Sequence, residues 1–238
     1  MMKIKITLIT TTLIVPSLIP GWVLASGEDD PLLYKVIVDQ LEYRDTDGPN
    51  PMVWNIDGWL GKDLNKLWIK TEGERINGIT EELEVQALYS RAIAPFWDLQ
   101  AGWRHENLPK PDRDWAVVGV KGLAPYLFEV DAALFVGESG RSAARLEAEY
   151  EIMLTQRWVL SPEIELNLLG KSDPERGVGS GLTDIEVGLR LRYEIRREFA
   201  PYIGINWSKL TSDTADLARA EGEKTEAGQF VVGVRAWF

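Results

Sequence analysis

The sequence predicts an all-β chain, a transmembrane antiparallel up-and-down β-barrel of about twelve strands. Three observations carry that expectation. Charged and apolar residues alternate with period two over segments of ten or more residues, aromatic residues crowd the segment ends, and the chain stops on a strand ending in Phe238. Strict alternation gives a sheet with one apolar and one polar face, whereas an amphipathic helix would space its apolar residues three and four apart.

The alternation is clearest at 141–154. Arg141, Arg145, Glu147, Glu149 and Glu151 fall on one face, and Ala144, Leu146, Ala148, Tyr150, Ile152 and Leu154 on the other. The pattern returns at 182–195, with Asp184, Glu186, Arg190, Arg192 and Glu194 set against Ile185, Val187, Leu189, Leu191, Tyr193 and Ile195. Twelve such segments can be drawn: 32–44, 51–61, 64–74, 79–92, 95–106, 113–123, 126–138, 141–155, 157–170, 182–196, 199–211 and 225–238. The connections alternate between tight turns, such as Gly61-Lys62-Asp63 and Ala124-Pro125, and mostly longer polar loops, such as 107–112, 171–181 and 212–224. Outer-membrane barrels are built this way, with an even strand number, short periplasmic turns and longer outer loops.

The N-terminus reads as an export signal. A short basic start, Met1-Met2-Lys3-Ile4-Lys5, precedes the mostly apolar 6–24 and an Ala-type cleavage site at Ala25. The expected division is a cleaved signal peptide at 1–25, a short segment at 26–31 and the barrel at 32–238. Cleavage would leave 24 basic and 37 acidic residues, a net charge of −13. No later stretch is long and apolar enough for a spanning helix, so a mature chain in a membrane must cross it as a closed barrel.

Composition removes several function classes. The chain has no cysteine, which excludes disulfides, thiolate metal sites and cysteine nucleophiles. Its charge of −11 argues against nucleic acid as a partner, because phosphate binding needs a basic face. A soluble barrel or sandwich would turn the apolar parity inward, and parity alone leaves the choice of face open. Strand length, the placement of Trp54, Trp97, Trp103, Trp115, Trp158, Trp207 and Trp237 near segment ends, and the terminal Phe238 favour apolar-out, with lipid as the outer contact.

On that register the lumen is lined by acids: Glu82, Glu84, Glu129, Asp131, Glu147, Glu149, Glu151, Glu163, Glu165, Asp184 and Glu186. Such a lining either forms an ion-pair network that stiffens the barrel or makes an acidic path that attracts cations. His105, Glu106 and Met52 are the candidate metal ligands, because they sit toward the same predicted end and imidazole, carboxylate and thioether all bind transition metals. His105 equally suits an interfacial position beside Trp103. Hydrolysis would need a serine and histidine within reach, and no serine lies near His105 in its strand. The chain therefore reads as a non-enzyme without an organic cofactor.

Long strings also carry a resemblance. They include Lys70-Thr71-Glu72-Gly73-Glu74-Arg75, the run from Tyr89-Ser90-Arg91 through Ala94-Pro95-Phe96-Trp97-Asp98 to Gly102, and Gly122-Leu123-Ala124-Pro125-Tyr126. Leu146-Glu147-Ala148-Glu149-Tyr150, Gly179-Ser180-Gly181-Leu182-Thr183-Asp184, Arg196-Arg197-Glu198-Phe199-Ala200-Pro201-Tyr202 and Thr214-Ala215-Asp216-Leu217-Ala218-Arg219 belong to the same set. From Trp68 to Phe238 the chain resembles the copper-resistance protein B family (CopB/PcoB). The resemblance implies a bacterial outer-membrane barrel of periplasmic copper homeostasis, with copper ions and a periplasmic multicopper oxidase as partners and no catalysis. A closed barrel that serves as a docking platform for that oxidase is the alternative. Family members often carry a Met- and His-rich N-terminal extension. Here Ser26-Gly27-Glu28-Asp29-Asp30 has neither residue type, which shifts weight to the barrel.

Overall fold

The computed structural model describes residues 30–238, so the expected signal peptide at 1–25 lies outside the described residues. Thirteen strand segments follow in order: β1 Leu33–Asp45, β2 Pro51–Gly61, β3 Asn65–Ile76, β4 Ile79–Ala94, β5 Trp97–Leu108, β6 Arg113–Ala124, β7 Phe128–Gly137, β8 Ser142–Tyr150, β9 Ile152–Met153, β10 Trp158–Leu169, β11 Gly181–Tyr193, β12 Phe199–Leu210 and β13 Glu226–Trp237. β8 and β9 both pair with β10 and are parted by Glu151, so they form one stave. Every neighbouring pair is antiparallel and β13 returns to β1, which closes a twelve-stave barrel. The seam is sealed at the C-terminus, where Val36 N donates to Phe238 O at 3.0 Å and Phe238 N donates to Val36 O at 2.9 Å. The termini share one end with the tight turns, here the turn end. The opposite end carries the longer connections.

The apolar parity faces out. Along β1, Leu41 and Tyr43 are exposed while Gln40, Glu42 and Arg44 are buried, and β12 and β13 repeat this with Ile203, Ile205, Phe230 and Val232 exposed. In water this surface would be a severe liability, whereas against lipid it is the required one. Trp103, Trp158 and Trp237 lie on the outer face as expected, and the indoles of Trp103 and Trp207 donate to Asp114 at 3.0 Å and Glu226 at 2.9 Å.

Four departures from the sequence expectation matter. Trp115 is not at the interface: it is buried inside with Trp68, Leu88, Val117 and Phe135, an apolar cluster on the lumen wall of β3–β7. β6 has apolar residues on both parities there, so alternation carried no signal. Second, a bulge in β1 leaves Asp39 unpaired between Val38 and Gln40 in the register with β2. Asp39 and Gln40 then both reach lumen partners, Arg235 at 2.8 Å and Glu163 at 3.1 Å. A bulge re-aims side chains in this way. Third, the loop expected at 212–224 contains a helix, α1 (Ser212–Glu221), which ends on Gly222 in the left-handed conformation (φ 79°). Fourth, Glu151 interrupts the stave that the alternation drew as continuous.

The loop end is capped by 170–180 and α1. Gly179 N donates to Thr214 Oγ1 at 3.0 Å, and Ser180 Oγ donates to Asp213 Oδ2 at 2.7 Å. The segment is tied to the rim at Asp173. Arg113 grips both carboxylate oxygens at 2.7 and 3.0 Å, and Arg141 lies 3.4 Å away. Arg176 reaches back to Glu106 on the lumen face of β5. Charge-assisted bidentate pairs of this kind are the strong class. The hydrogen bond from Arg113, aided by the charges of Arg113, Arg141 and Arg176, holds the Asp173 carboxyl below the usual aspartate range.

Because the folded form of Asp173 releases its proton more readily than the unfolded form, the tie contributes fully above the ordinary aspartate pKa of about 3.9 and is lost as pH falls through the lower folded value. Amide exchange in 171–180 is expected to be slow at neutral pH and to accelerate at strongly acid pH. In Asp173→Asn it is expected to be fast at neutral pH; protection in that variant equal to the parent would contradict the tie. A second expectation concerns Gly233, which sits beneath the Tyr202 ring. A Cβ there would lie 2.6 Å from Tyr202 Cζ and 2.8 Å from Glu42 Cβ. Gly233→Val is expected to lower stability by about 1–3 kcal/mol through overpacking, read as an earlier urea midpoint.

Candidate functional site

The inward parity of nearly every strand delivers charge to the lumen, and most of it is paired across the interior. Arg190 of β11 meets Glu42 of β1 at 2.9 Å and Glu163 of β10 at 2.5 Å. Glu42 also accepts from Arg44 at 2.8 Å and from the Tyr202 hydroxyl at 2.9 Å. Lys70 of β3 reaches Asp131 of β7 at 2.6 Å. Arg145 of β8 holds Glu72 at 2.8 Å and Glu84 at 3.0 Å. Charges withdrawn from water are tolerated only when paired and hydrogen-bonded, so the pairs are the condition on which the lumen exists.

Pairing is incomplete toward the turn end. A cavity of about 410 Å³ lies there, lined by Asp39, Glu129, Asp131, Glu147, Glu149 and Glu163, with Lys121 as the one cationic lining residue. Lys121 stands 3.3 Å from Asp131 and 3.5 Å from Asp57. Glu149 and Asp39 share Arg235, at 3.6 and 2.8 Å, and Glu149 also meets Arg192 at 3.3 Å. Glu147 has only the distant edge of Arg145 at 3.9 Å, and Glu129 has no ion pair among the described residues. The chamber thus gathers more carboxylates than cations within low-dielectric walls, an arrangement that favours cations. Beside it, toward the middle of the lumen, lies a void of about 10 Å³ between Lys70, Gln86, Gln100, Asp131, Arg145 and Glu147, roughly the space for one water.

The structure sorts the sequence candidates into separate places. His105 and Glu106 fall on opposite faces of β5. His105 stacks on Trp103 with ring centroids 5.4 Å apart and its Nδ1 lies 2.9 Å from Asp114 Oδ1, on the outer face. Glu106 points inward, against Arg104 and Arg176. Met52 is exposed on the outside of β2. These three are therefore not brought together, and no cluster of three or more His, Asp or Glu with metal-site geometry occurs among the described residues. Of the expected acidic lining, Glu129, Asp131, Glu147, Glu149 and Glu163 meet at the chamber. Glu151 lies at the break in the stave, bonded to Arg192 and to Arg235 at 2.8 Å. Glu84 and Glu165 surround Arg145, and Glu186 accepts from Arg44 at 3.0 Å. Asp184 accepts from Asn167 at 3.0 Å, and Glu82 is opposite Glu74 in the β3–β4 register toward the loop end. Asp39 went unnoticed in the sequence because the bulge breaks its parity.

Comparison with known proteins gives this arrangement a setting. A family model described as Copper resistance protein B precursor (CopB) matches residues 32–238. A protein from Escherichia coli described as Copper resistance protein B is 48% identical over 210 residues, 88% of this chain and 71% of that protein. A Copper resistance protein B homolog from Pseudomonas syringae pv. tomato is 46% identical over 202 residues, 85% of this chain and 69% of that protein. Among solved structures, the NanC porin superposes with a TM-score of 0.57 at 13% identity, covering 86% of this chain and 99% of the porin. The KdgM porin does so with a TM-score of 0.51 at 10% identity, covering 86% and 99%. At such identities the porins speak for the fold alone. A closed barrel with an apolar outer face and porin-like neighbours places the protein in the outer membrane, and the short turns therefore face the periplasm. The chain belongs to the copper-resistance protein B family.

Proposed function

We propose that this outer-membrane barrel takes up copper ions in the acidic chamber at its periplasmic end. The observation that carries the reading is the excess of carboxylates over cations in that cavity, with Glu129 and Glu147 the least compensated. Family membership supplies the metal, and the chamber supplies a place for it. The donor set bears on the oxidation state. Copper(I) prefers thioether and imidazole, while copper(II) accepts carboxylate oxygen. Met52 and Met153 are exposed on the outside and His105 is turned toward Asp114, so the lumen offers oxygen ligands. Copper(II) is the species this chamber suits. With His105 outside, the lumen holds no imidazole to act as a base, which supports a non-catalytic role.

A second reading draws on the middle of the lumen. A lumen spanned by Arg145 and its carboxylates beside a void of about 10 Å³ supports a closed barrel acting as a docking platform for the periplasmic multicopper oxidase implied by the family resemblance. The exposed Arg196, Arg197 and Glu198 of the β11–β12 turn would be its contact. The two readings are compatible, since a docked oxidase would stand over the chamber mouth.

Equilibrium dialysis of the refolded protein separates them. Saturable copper(II) uptake is expected under oxidising conditions and weaker uptake of copper(I) under reducing conditions. The double variant Glu129→Gln and Glu147→Gln is expected to weaken copper(II) binding by about tenfold, equivalent to roughly 1.4 kcal/mol, and His105→Ala to leave it unchanged. Absence of uptake by the parent protein would remove the chamber reading and leave the docking platform.

A further inference from the structure

The middle of the lumen contains a cation of the protein's own where an ion would otherwise pass. Arg145 extends from β8 to Glu72 of β3 at 2.8 Å and Glu84 of β4 at 3.0 Å, strands on the far wall of the ring. Its Nε stands 3.4 Å from Glu165 and donates to Asn167 at 3.1 Å, and Glu147 lies 3.9 Å away. One guanidinium therefore faces four carboxylates from four strands. The narrow void lies beside it, with the acidic chamber on the periplasmic side, and Glu147 lines both. Toward the loop end the wall continues with Glu74, Glu82 and Glu186.

We propose that Arg145 is a tethered cation that closes this barrel to ions, and that without it the carboxylates around it form a cation-selective path along the lumen. The physical reason is the fork. A planar guanidinium can satisfy several carboxylates at once and thereby bind opposite walls together, while it neutralises the field that would draw a mobile cation through. Removing it leaves Glu72, Glu147 and Glu165, with Glu84 still held by Arg104 at 2.6 Å, around a wider opening, a ring of the kind that selects cations in pores. The inference rests on the barrel interior and is independent of copper, so its failure would leave the chamber reading untouched.

The test uses the refolded protein in planar lipid bilayers under a potassium chloride gradient, with heat-modifiable gel mobility confirming the folded barrel. Because Arg176 and the 170–180 segment cap the loop end, all comparisons are made in Arg176→Ala. That variant alone is expected to stay as poorly conducting as the parent. Adding Arg145→Ala is expected to raise conductance and to shift the reversal potential to the cation side, and free guanidinium in the bath to suppress the new current. If the alanine variant does not refold, Arg145→Lys is read in its place, with openings expected because an ammonium cannot hold Glu72, Glu84 and Glu165 together. High conductance in Arg176→Ala alone, or a silent trace from every folded Arg145 variant, overturns the proposal.

Discussion

Closure of the hydrogen-bond ladder is the constraint from which the rest of this structure follows. In hydrocarbon, each backbone N–H and C=O must find its partner within the protein, and a sheet satisfies that only when it has no free edge. Here the β1–β13 ladder performs the closure and ends in the two bonds between Phe238 and Val36. Once the ring is closed, one parity must meet lipid and the other is confined to a narrow interior. The apolar residues take the outside. The charges that give the chain its alternation are then forced together inside, where each must be neutralised or hydrated.

Neutralisation shapes the interior into zones. Arg190 and Glu42 on one side, and Lys70, Asp131, Arg145 and Glu84 on the other, tie distant strands through the lumen. The apolar cluster around Phe135 and Trp115 fills much of the β3–β7 wall, with the Arg104 guanidinium 4.4 Å from the centre of the Phe135 ring. Carboxylates outnumber cations in the chamber near the periplasmic turns, and again toward the loop end, where Glu74 and Glu82 face each other without an ion pair among the described residues. The chamber is the roomier of these places, so it is where surplus acid can stay hydrated.

The strand count, the outward apolar face and the inward acids were legible because a period of two admits few other structures. What stayed hidden depended on breaks in the period. Asp39 turns inward through a bulge, Trp115 joins an interior cluster on a strand with little alternation, and Glu151 divides a stave. Helix α1 did carry local signals, in the alanines at 215, 218 and 220 and the Gly222 stop, but the loop reading absorbed them. The ion pairs were unreadable for a different reason. Glu42 and Arg190 are 148 positions apart, and Arg145 and Glu72 are 73 apart. Such partners are chosen by the curvature of the closed ring, which no local pattern encodes. For the same reason the proximity of His105, Glu106 and Met52 in the strand layout did not become proximity in space, since facing decides what height alone does not.

A chamber bounded by ion pairs above and periplasm below would exchange ions with a single compartment. A barrel working as an open copper pore would need a continuous hydrated path, and Arg145 with its carboxylates instead spans the lumen beside a void of about 10 Å³. Under the proposed reading, copper(II) would enter and leave by the same mouth, and the carboxylates there would hold it weakly enough for transfer. That geometry unites the two roles weighed for this family member. The chamber mouth that would take up copper opens at the same end as the Arg196-Arg197-Glu198 turn that an oxidase would meet, so a docked oxidase would stand where the ion is released.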